Sequence, residues 1–291
     1  MVLTNLLGAH SPDNVPTSPP NSISLYADGR APGADASSAA IAARVNQALV
    51  SALTGQPAVF NMKPSELFAS VDQVAPAMAL VMHRPGITLA QQFRVNRALH
   101  RAGFDAAILD ALVSPDVATR RAAARLAGSL CLSDAVAWLA DLLDDADDSV
   151  RKAAAVALGR TGGRRSVEAL VASAERFHPH DVAVNLARAA SDIDLDGLLR
   201  QTDTIAPPAA IAVALACGLR ADALRFPRLV AIARDPENAA ELRAAACRAL
   251  GMIGDRAAAG VLRNLTYDHD PVVSNAATRG LRRYHPGLPR T

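Results

Sequence analysis

The run Asp192-Ile-Asp194-Leu-Asp196-Gly197, closed by Asp203, sets oxygen ligands at every second residue. Carboxylates at the first, third and fifth places of a twelve-residue loop, with glycine sixth and an apolar residue eighth, form the pattern that wraps a calcium ion. Here the twelfth place holds Asp203 where a bidentate glutamate is expected, and the ninth holds Arg200. The competing reading is an acidic helix start, capped by Asp192 or Asp194, and the helical repeat frame of the chain favours it. Asp192, Asp194, Asp196 and Asp203 therefore stand only as candidate metal ligands, and no cofactor is expected. His178 and His180 have a spacing at which two imidazoles can share a metal, without a third ligand close in sequence. Trp138 and Asp141 lie one helical turn apart on one face; core filling is the expected role of Trp138.

Cys131, Cys217 and Cys247 are odd in number and scattered. That suits buried, reduced thiols within Ala/Leu-rich helices better than a disulfide framework or a metal knuckle. His83, His100, His269 and His285 read as isolated surface or cap residues. No phosphate-cradling glycine loop, Ser/His/Asp set or Cys/His pair occurs at a useful spacing. Gly162-Gly163-Arg164-Arg165 reads as a turn between helices.

The elements that would position these groups are helical. Hydrophobic residues make up 51% of the 291 residues and aromatics only 3%. The apolar mass is Ala, Leu and Val, whose small volumes let helices approach closely. Residues 1–38 read as a flexible arm, because the Pro, Ser, Asn, Gly and Asp of His10–Ser38 cannot bury enough apolar surface to order themselves; Ser22–Leu25 is its one strand-like stretch. Apolar spacing predicts helices over Ala39–Leu53 and Ser65–Met82, and residues 39–86 read as an N-terminal helical extension or cap. From Ile87 the chain repeats itself, giving a solenoid over 87–286 and a short tail, 287–291.

The copies are clearest in Ser114–Gly128, Leu139–Gly162, Asp235–Asp255 and Asp268–Tyr284, and Gly159 follows Gly128 by 31 positions, as Leu281 follows Leu250. Each unit is expected to hold a first helix and an acidic turn such as Asp144–Asp148, whose carboxylates cap the second helix. That Ala-rich second helix closes at Gly159, Gly162 or Gly254. Asn238 with Glu241 has the spacing of a capping box. The segments Asp148-Ser-Val150-Arg151-x-Ala-Ala-x-x-Ala157-Leu158-Gly159 and Glu241-Leu242-Arg243-x-Ala-Ala-x-x-Ala249-Leu250-Gly251 carry a family resemblance. They resemble the HEAT-like repeats first described in phycobilisome lyases, over roughly Ile87–Tyr284. The resemblance implies an all-α solenoid of stacked helix pairs with an N-terminal helical extension. It implies no single activity, since such repeats occur in chromophore lyases, enzyme accessory domains, adaptors and a DNA glycosylase relative. The glycosylase relatives use Trp and Asp in their groove, the role Trp138 and Asp141 would take.

On a wheel of about 100° per residue, Val150, Ala154, Ala157 and Leu158 share a core face, with Lys152 and Val156 opposite. The Val156 position is occupied by Arg125, Arg188, Arg248 and Arg279 in the other well-aligned units, and the Lys152 position by Arg121. Second helices line the inner wall of such solenoids, so a cationic row is expected along a concave groove. The competing reading is a solvated face rich in a good helix former, since of 30 basic residues only Lys63 and Lys152 are lysine. The net charge of +2 gives no global field for nucleic acid, which is the less favoured partner. The expected function is a non-catalytic interaction module or adaptor gripping an acidic segment of a protein partner through Arg121, Arg125, Lys152, Arg188, Arg248 and Arg279. The alternative is an enzyme or accessory subunit acting on a tetrapyrrole or a nucleobase. A structural role in a larger assembly, docked through residues 1–86, is a third reading. No transmembrane stretch or signal peptide is expected, and the cytoplasm is the expected location.

Overall fold

The computed structural model describes residues 34–221 and 223–283, and all regular structure within them is helical. Residues 1–33 of the expected arm and the tail, 287–291, lie outside the described residues, as do the strand-like stretch at Ser22–Leu25 and His285. Four helices come first: α1 (Ala34–Thr54), α2 (Pro64–Ala69), α3 (Val71–Met82) and α4 (Leu89–Arg101). The first of them starts at Ala34, ahead of the expected Ala39. Six pairs complete the chain: α5 (Phe104–Leu112) with α6 (Val117–Ser129), α7 (Val136–Asp141) with α8 (Asp148–Thr161), α9 (Arg164–Ala172) with α10 (Pro179–Ala189), α11 (Asp192–Arg200) with α12 (Pro207–Leu219), α13 (Phe226–Arg234) with α14 (Ala240–Ile253), and α15 (Arg256–Leu265) with α16 (Pro271–Leu281).

The helix starts follow from side-chain chemistry. Asp116 accepts from the Thr119 amide at 2.8 Å, Asp147 from the Ser149 amide at 2.9 Å, and Asp270 from the Val272 amide at 2.7 Å. Each satisfies a backbone donor that the first helical turn leaves without a partner. Pro179, Pro207 and Pro271 sit at first helical positions, where the missing amide costs nothing. Asn238 and Glu241 form no capping box: α14 begins after Ala239, and the Asn238 side-chain amide donates instead to the Ile232 carbonyl at 3.3 Å. The helix expected over Ser65–Met82 is two helices, broken at Ser70, whose φ of −110° and ψ of 17° leave the α region.

Val150, Ala154, Ala157 and Leu158 are buried, as the wheel places them. The second helices pack in one continuous row, α6 on α8, α8 on α10, and so on to α16, whereas first helices such as α7 and α9 touch their neighbours far less. Glycines inside the second helices set this close spacing. A Cβ on Gly128 would lie 2.5 Å from the Ala157 Cα, one on Gly218 2.6 Å from the Ala249 Cα, and one on Gly251 2.7 Å from the Gly280 Cα. Gly159 belongs with them. It lies inside α8 against Asn185 and does not end the helix; the end falls at Gly162, whose φ is 69°. Backbones thus touch along the second-helix row, and the first helices pack more loosely. At its N-terminal end, α3 packs on both α1 and α6, so the preceding helices share the solenoid's core. Of the apolar residues of α3, Val74, Ala75, Met78 and Met82 are buried, and Leu80 is left exposed.

Acidic turns do more than cap. Arg120 donates to both oxygens of Asp145, at 2.7 and 3.0 Å, tying α6 to the turn of the next unit. Arg243 bridges to both Asp268 oxygens in the same way.

Candidate partner-binding face

The second-helix row carries cations at two recurring positions, that of Arg121 and Lys152 and that of Arg125, Arg188, Arg248 and Arg279. Arg121, Arg188, Arg248 and Arg279 are exposed and Arg125 is partly so. They do not share one electrostatic state. Arg125 is paired with Asp72 of α3, and its guanidinium holds that carboxyl below the usual range. Lys152 is paired with Asp148 at 2.6 Å, four residues earlier on the same helix. Among the described residues, no carboxylate lies within 4.0 Å of Arg121, Arg188, Arg248 or Arg279. Arg248 is held below the usual guanidinium value by the partial desolvation of its side chain and by the charge of Arg279. Between the Arg188 and Arg248 helices stands α12, which carries no charged residue. The row is thus two cationic patches divided by an apolar helix.

Two hollows open beside the N-terminal patch. One, of about 320 Å³, lies between α3 and α8 and includes Arg121, Arg125, Lys152 and Arg160 in its wall. The other, of about 690 Å³, lies between the C-terminal end of α3 and the helices α8 and α10. Its lining holds the cations Arg160, Arg188 and Arg84, the apolar Pro76, Ala79 and Leu80, and His83. Arg160 is common to both. Its Nη1 donates to the Ser129 hydroxyl at 3.3 Å, and burial lowers its basicity, with the charges of Arg188 and Arg125 adding to the effect. Arg160 lay outside the expected row because Val156 takes the row position in α8. Its signal was its place four residues on, which keeps it on the same helical face.

The model of a known family, HEAT repeats, matches residues 106–190 and 195–282, which together are more than half of the chain. The chain is a HEAT-repeat protein. The matched blocks divide between α10 and α11, so the recognised repeats coincide with the helix pairs. The match carries no mark of the phycobilisome-lyase type. No curated protein is a significant match. Among solved structures, human deoxyhypusine hydroxylase is 14% identical, with 87% of this chain and 98% of that one covered and a TM-score of 0.34. Two engineered proteins are 20% and 19% identical. They cover 82% and 86% of this chain and 95% and 82% of their own, with TM-scores of 0.32 and 0.36.

The structure of this HEAT-repeat protein gives the other sequence candidates different roles. Asp192–Arg200 is helix where an ion-wrapping loop would be needed. Ser191 caps it, with the Asp194 carboxylate accepting from the Ser191 amide at 2.9 Å. The cations at Asp192 and Asp196 are guanidinium groups: Arg220 lies 2.6 Å from Asp192, and buried Arg225 lies 3.2 Å from Asp192 and 3.0 Å from Asp196. Asp203 is exposed in the turn after α11. His178 caps α10, accepting from the His180 amide at 3.3 Å. Trp138 does not fill the core. It is 39% exposed on α7, whose six residues give their inward positions to Val136 and Leu139. Cys217 and Cys247 are buried within helices, but Cys131 lies in the turn after α6 with a φ of 53° and is only partly buried. Among the described residues, no three His, Cys, Asp or Glu side chains converge as a metal site, and no helix is long and apolar enough to cross a membrane.

Proposed function

We propose that this HEAT-repeat protein is a non-catalytic interaction module, an adaptor whose second-helix row holds an acidic segment of a protein partner. Arg121, Arg125, Lys152, Arg188, Arg248 and Arg279 are the contacting cations. The observation that carries the reading is the recurrence of Arg188, Arg248 and Arg279 in one register, each exposed and without a carboxylate within 4.0 Å among the described residues. Guanidinium forks left open in this way match carboxylates in geometry as well as charge. Neighbouring helices stand roughly 8–10 Å apart, so Arg188 and Arg248, two helices apart, are roughly 16–20 Å distant. At about 3.4 Å per residue, an extended segment spans that gap in about five or six residues. The fitting partner therefore carries two acidic clusters about that far apart, with uncharged residues between them to lie on α12. The proposed setting is the cytoplasm, where reduced thiols such as those of Cys131 and Cys247 are at home.

The test is fluorescence anisotropy with a synthetic peptide of that pattern. The wild-type chain should bind it with a Kd in the micromolar range, and Arg188→Glu/Arg248→Glu should weaken binding at least tenfold while keeping its helical circular dichroism. An unchanged Kd in the double variant overturns the reading. A coloured ligand or nucleic acid carried through purification would instead favour the enzyme or accessory-subunit alternative.

A further inference from the structure

Of the two hollows, the smaller has its own counter-ions: Asp72 pairs with Arg125 and Asp148 with Lys152 at its margin. The larger has none. Among the described residues its lining contains no acidic side chain, and Arg84, Arg160 and Arg188 have no carboxylate within 4.0 Å. Arg160 is partly buried there and keeps its place through one hydrogen bond to a neutral hydroxyl. Like charges held together without a counter-ion repel, and an anion from outside relieves the repulsion.

We propose that the hollow between α3, α8 and α10 is an anchor for a phosphorylated side chain on a peptide, gripped by Arg160 and Arg188 with apolar flanking residues seated on Pro76, Ala79 and Leu80. This rests on the reading of the chain as an acidic-segment binder and adds a specific subsite to it. A planar carboxylate satisfies one guanidinium fork and brings one charge. A phosphoryl group brings close to two charges at neutral pH, and its three terminal oxygens accept from forks on different helices. The hollow presents its forks from α8 and α10 and a further cation, Arg84, from the turn after α3. The apolar wall decides the source of the anion. Leu80 is 76% exposed although it borders a cationic surface, and a free phosphate ion gives it nothing to touch. A phosphopeptide with large apolar neighbours covers it. The same wall argues against a nucleic acid strand, whose successive phosphates call for continuous basic flanks.

His83 supplies an independent readout. Its ring lies 3.3 Å from the Gly128 carbonyl. Burial holds its pKa below the ordinary histidine value, and the charges of Arg160 and Arg188 press it the same way. Arg84 and Cys131 complete its surroundings. An anion in the hollow cancels the arginine contribution, so the His83 titration seen by NMR shifts to higher pH. A ligand on the Arg248 patch leaves it unmoved.

The experiment compares three dodecapeptides that have a central phosphoserine, serine or glutamate flanked by leucines, together with inorganic phosphate and duplex DNA. Phosphoserine should bind at least tenfold tighter than glutamate and raise the His83 midpoint. Arg160→Ala should erase that preference, and Arg160→Lys, which keeps the charge and loses the fork, should reduce it at least threefold with the thermal midpoint retained. Equal affinity for the phosphoserine and glutamate peptides overturns the anchor and leaves the acidic-segment reading intact, whereas failure of every peptide, including the two-cluster probe, removes both. Inorganic phosphate binding as tightly as phosphopeptide, or DNA binding more tightly than either at physiological salt, also overturns it.

Discussion

Arg120 grips both oxygens of Asp145, 25 positions further along the chain, and Arg243 repeats the grip on Asp268 at the same separation. These are not surface pairs. The side chains of Arg120 and Asp145 are only 16% and 6% exposed, and Arg120 also donates to the carbonyls of Ser114 and Pro115. Each clamp joins one unit's second helix to the next unit's turn, so it reports on stacking rather than on the fold of one unit.

Arg120→Ala should therefore destabilise the array by about 2–4 kcal/mol, because it strands a carboxylate in a sheltered turn and frees two carbonyls. Urea unfolding followed by circular dichroism measures this. A double-mutant cycle with Asp145→Asn should show strong coupling, and additivity would mean that the clamp contributes little.

The same pair fixes an acid limb. The hydrogen bond from Arg120 is the largest cause holding the Asp145 carboxyl below its ordinary value. Its stabilisation is thus complete above the unfolded aspartate pKa of about 3.9 and is lost as pH falls through the depressed folded value. Wild-type stability should drop below about pH 4 more steeply than that of Arg120→Ala. Parallel curves from about pH 5 down to about pH 2 would count against this assignment.

Glycines that are equivalent in composition should answer alanine in opposite ways. Gly128→Ala places a methyl group against the backbone of α8 and should cost about 1–3 kcal/mol. Gly197 and Gly260 sit in helices where an added methyl group would meet nothing within 4 Å, so alanine there should add about 0.5–1 kcal/mol. Thermal melts of the three variants decide it.

Asp72 competes for Arg125. Its side chain is 78% exposed, so the pair adds little to stability. Asp72→Ala should leave the melting temperature in place and tighten binding of the two-cluster acidic peptide about two- to fivefold. Weaker binding would mean that Asp72 helps to orient Arg125 for the partner.

Thiol chemistry should be quiet in the native chain. Burial pushes the Cys131 thiol up to about 11 and the Cys247 thiol up to about 12. Near neutral pH neither should react quickly with a disulfide reagent until denaturant is added, when all three cysteines should label. Fast native labelling of one site would single out Cys131, the one only partly buried.

The all-helical repeat was legible because alanine spacing, acidic turns and the 31-residue recurrence are signals that agree with one another. Side-chain destinations across units were less so. Gly159 read as a stop because sequence does not say where the next helix runs, and the passage of Asn185 beside it is what gives it its role. Trp138 was expected to fill the core, yet a six-residue helix has too few inward positions to take it. In the cationic row, the arginine register was visible, but the neutralisation of Arg125 by Asp72 came from α3, 53 positions away. Arg160 was hidden by a one-turn displacement. The Arg120–Asp145 clamp did have a signal, the shared separation of 25 positions in two units, which only a pairwise reading of the repeats would expose.

The glycine contacts along the second helices bear on how this molecule responds to load. Where two backbones already touch, the spacing cannot shrink, so that edge acts as a mechanical stop. At the opposite edge the first helices touch less and have room to give, so any flexing of the array falls to that edge while the spacing of the arginine-bearing helices holds.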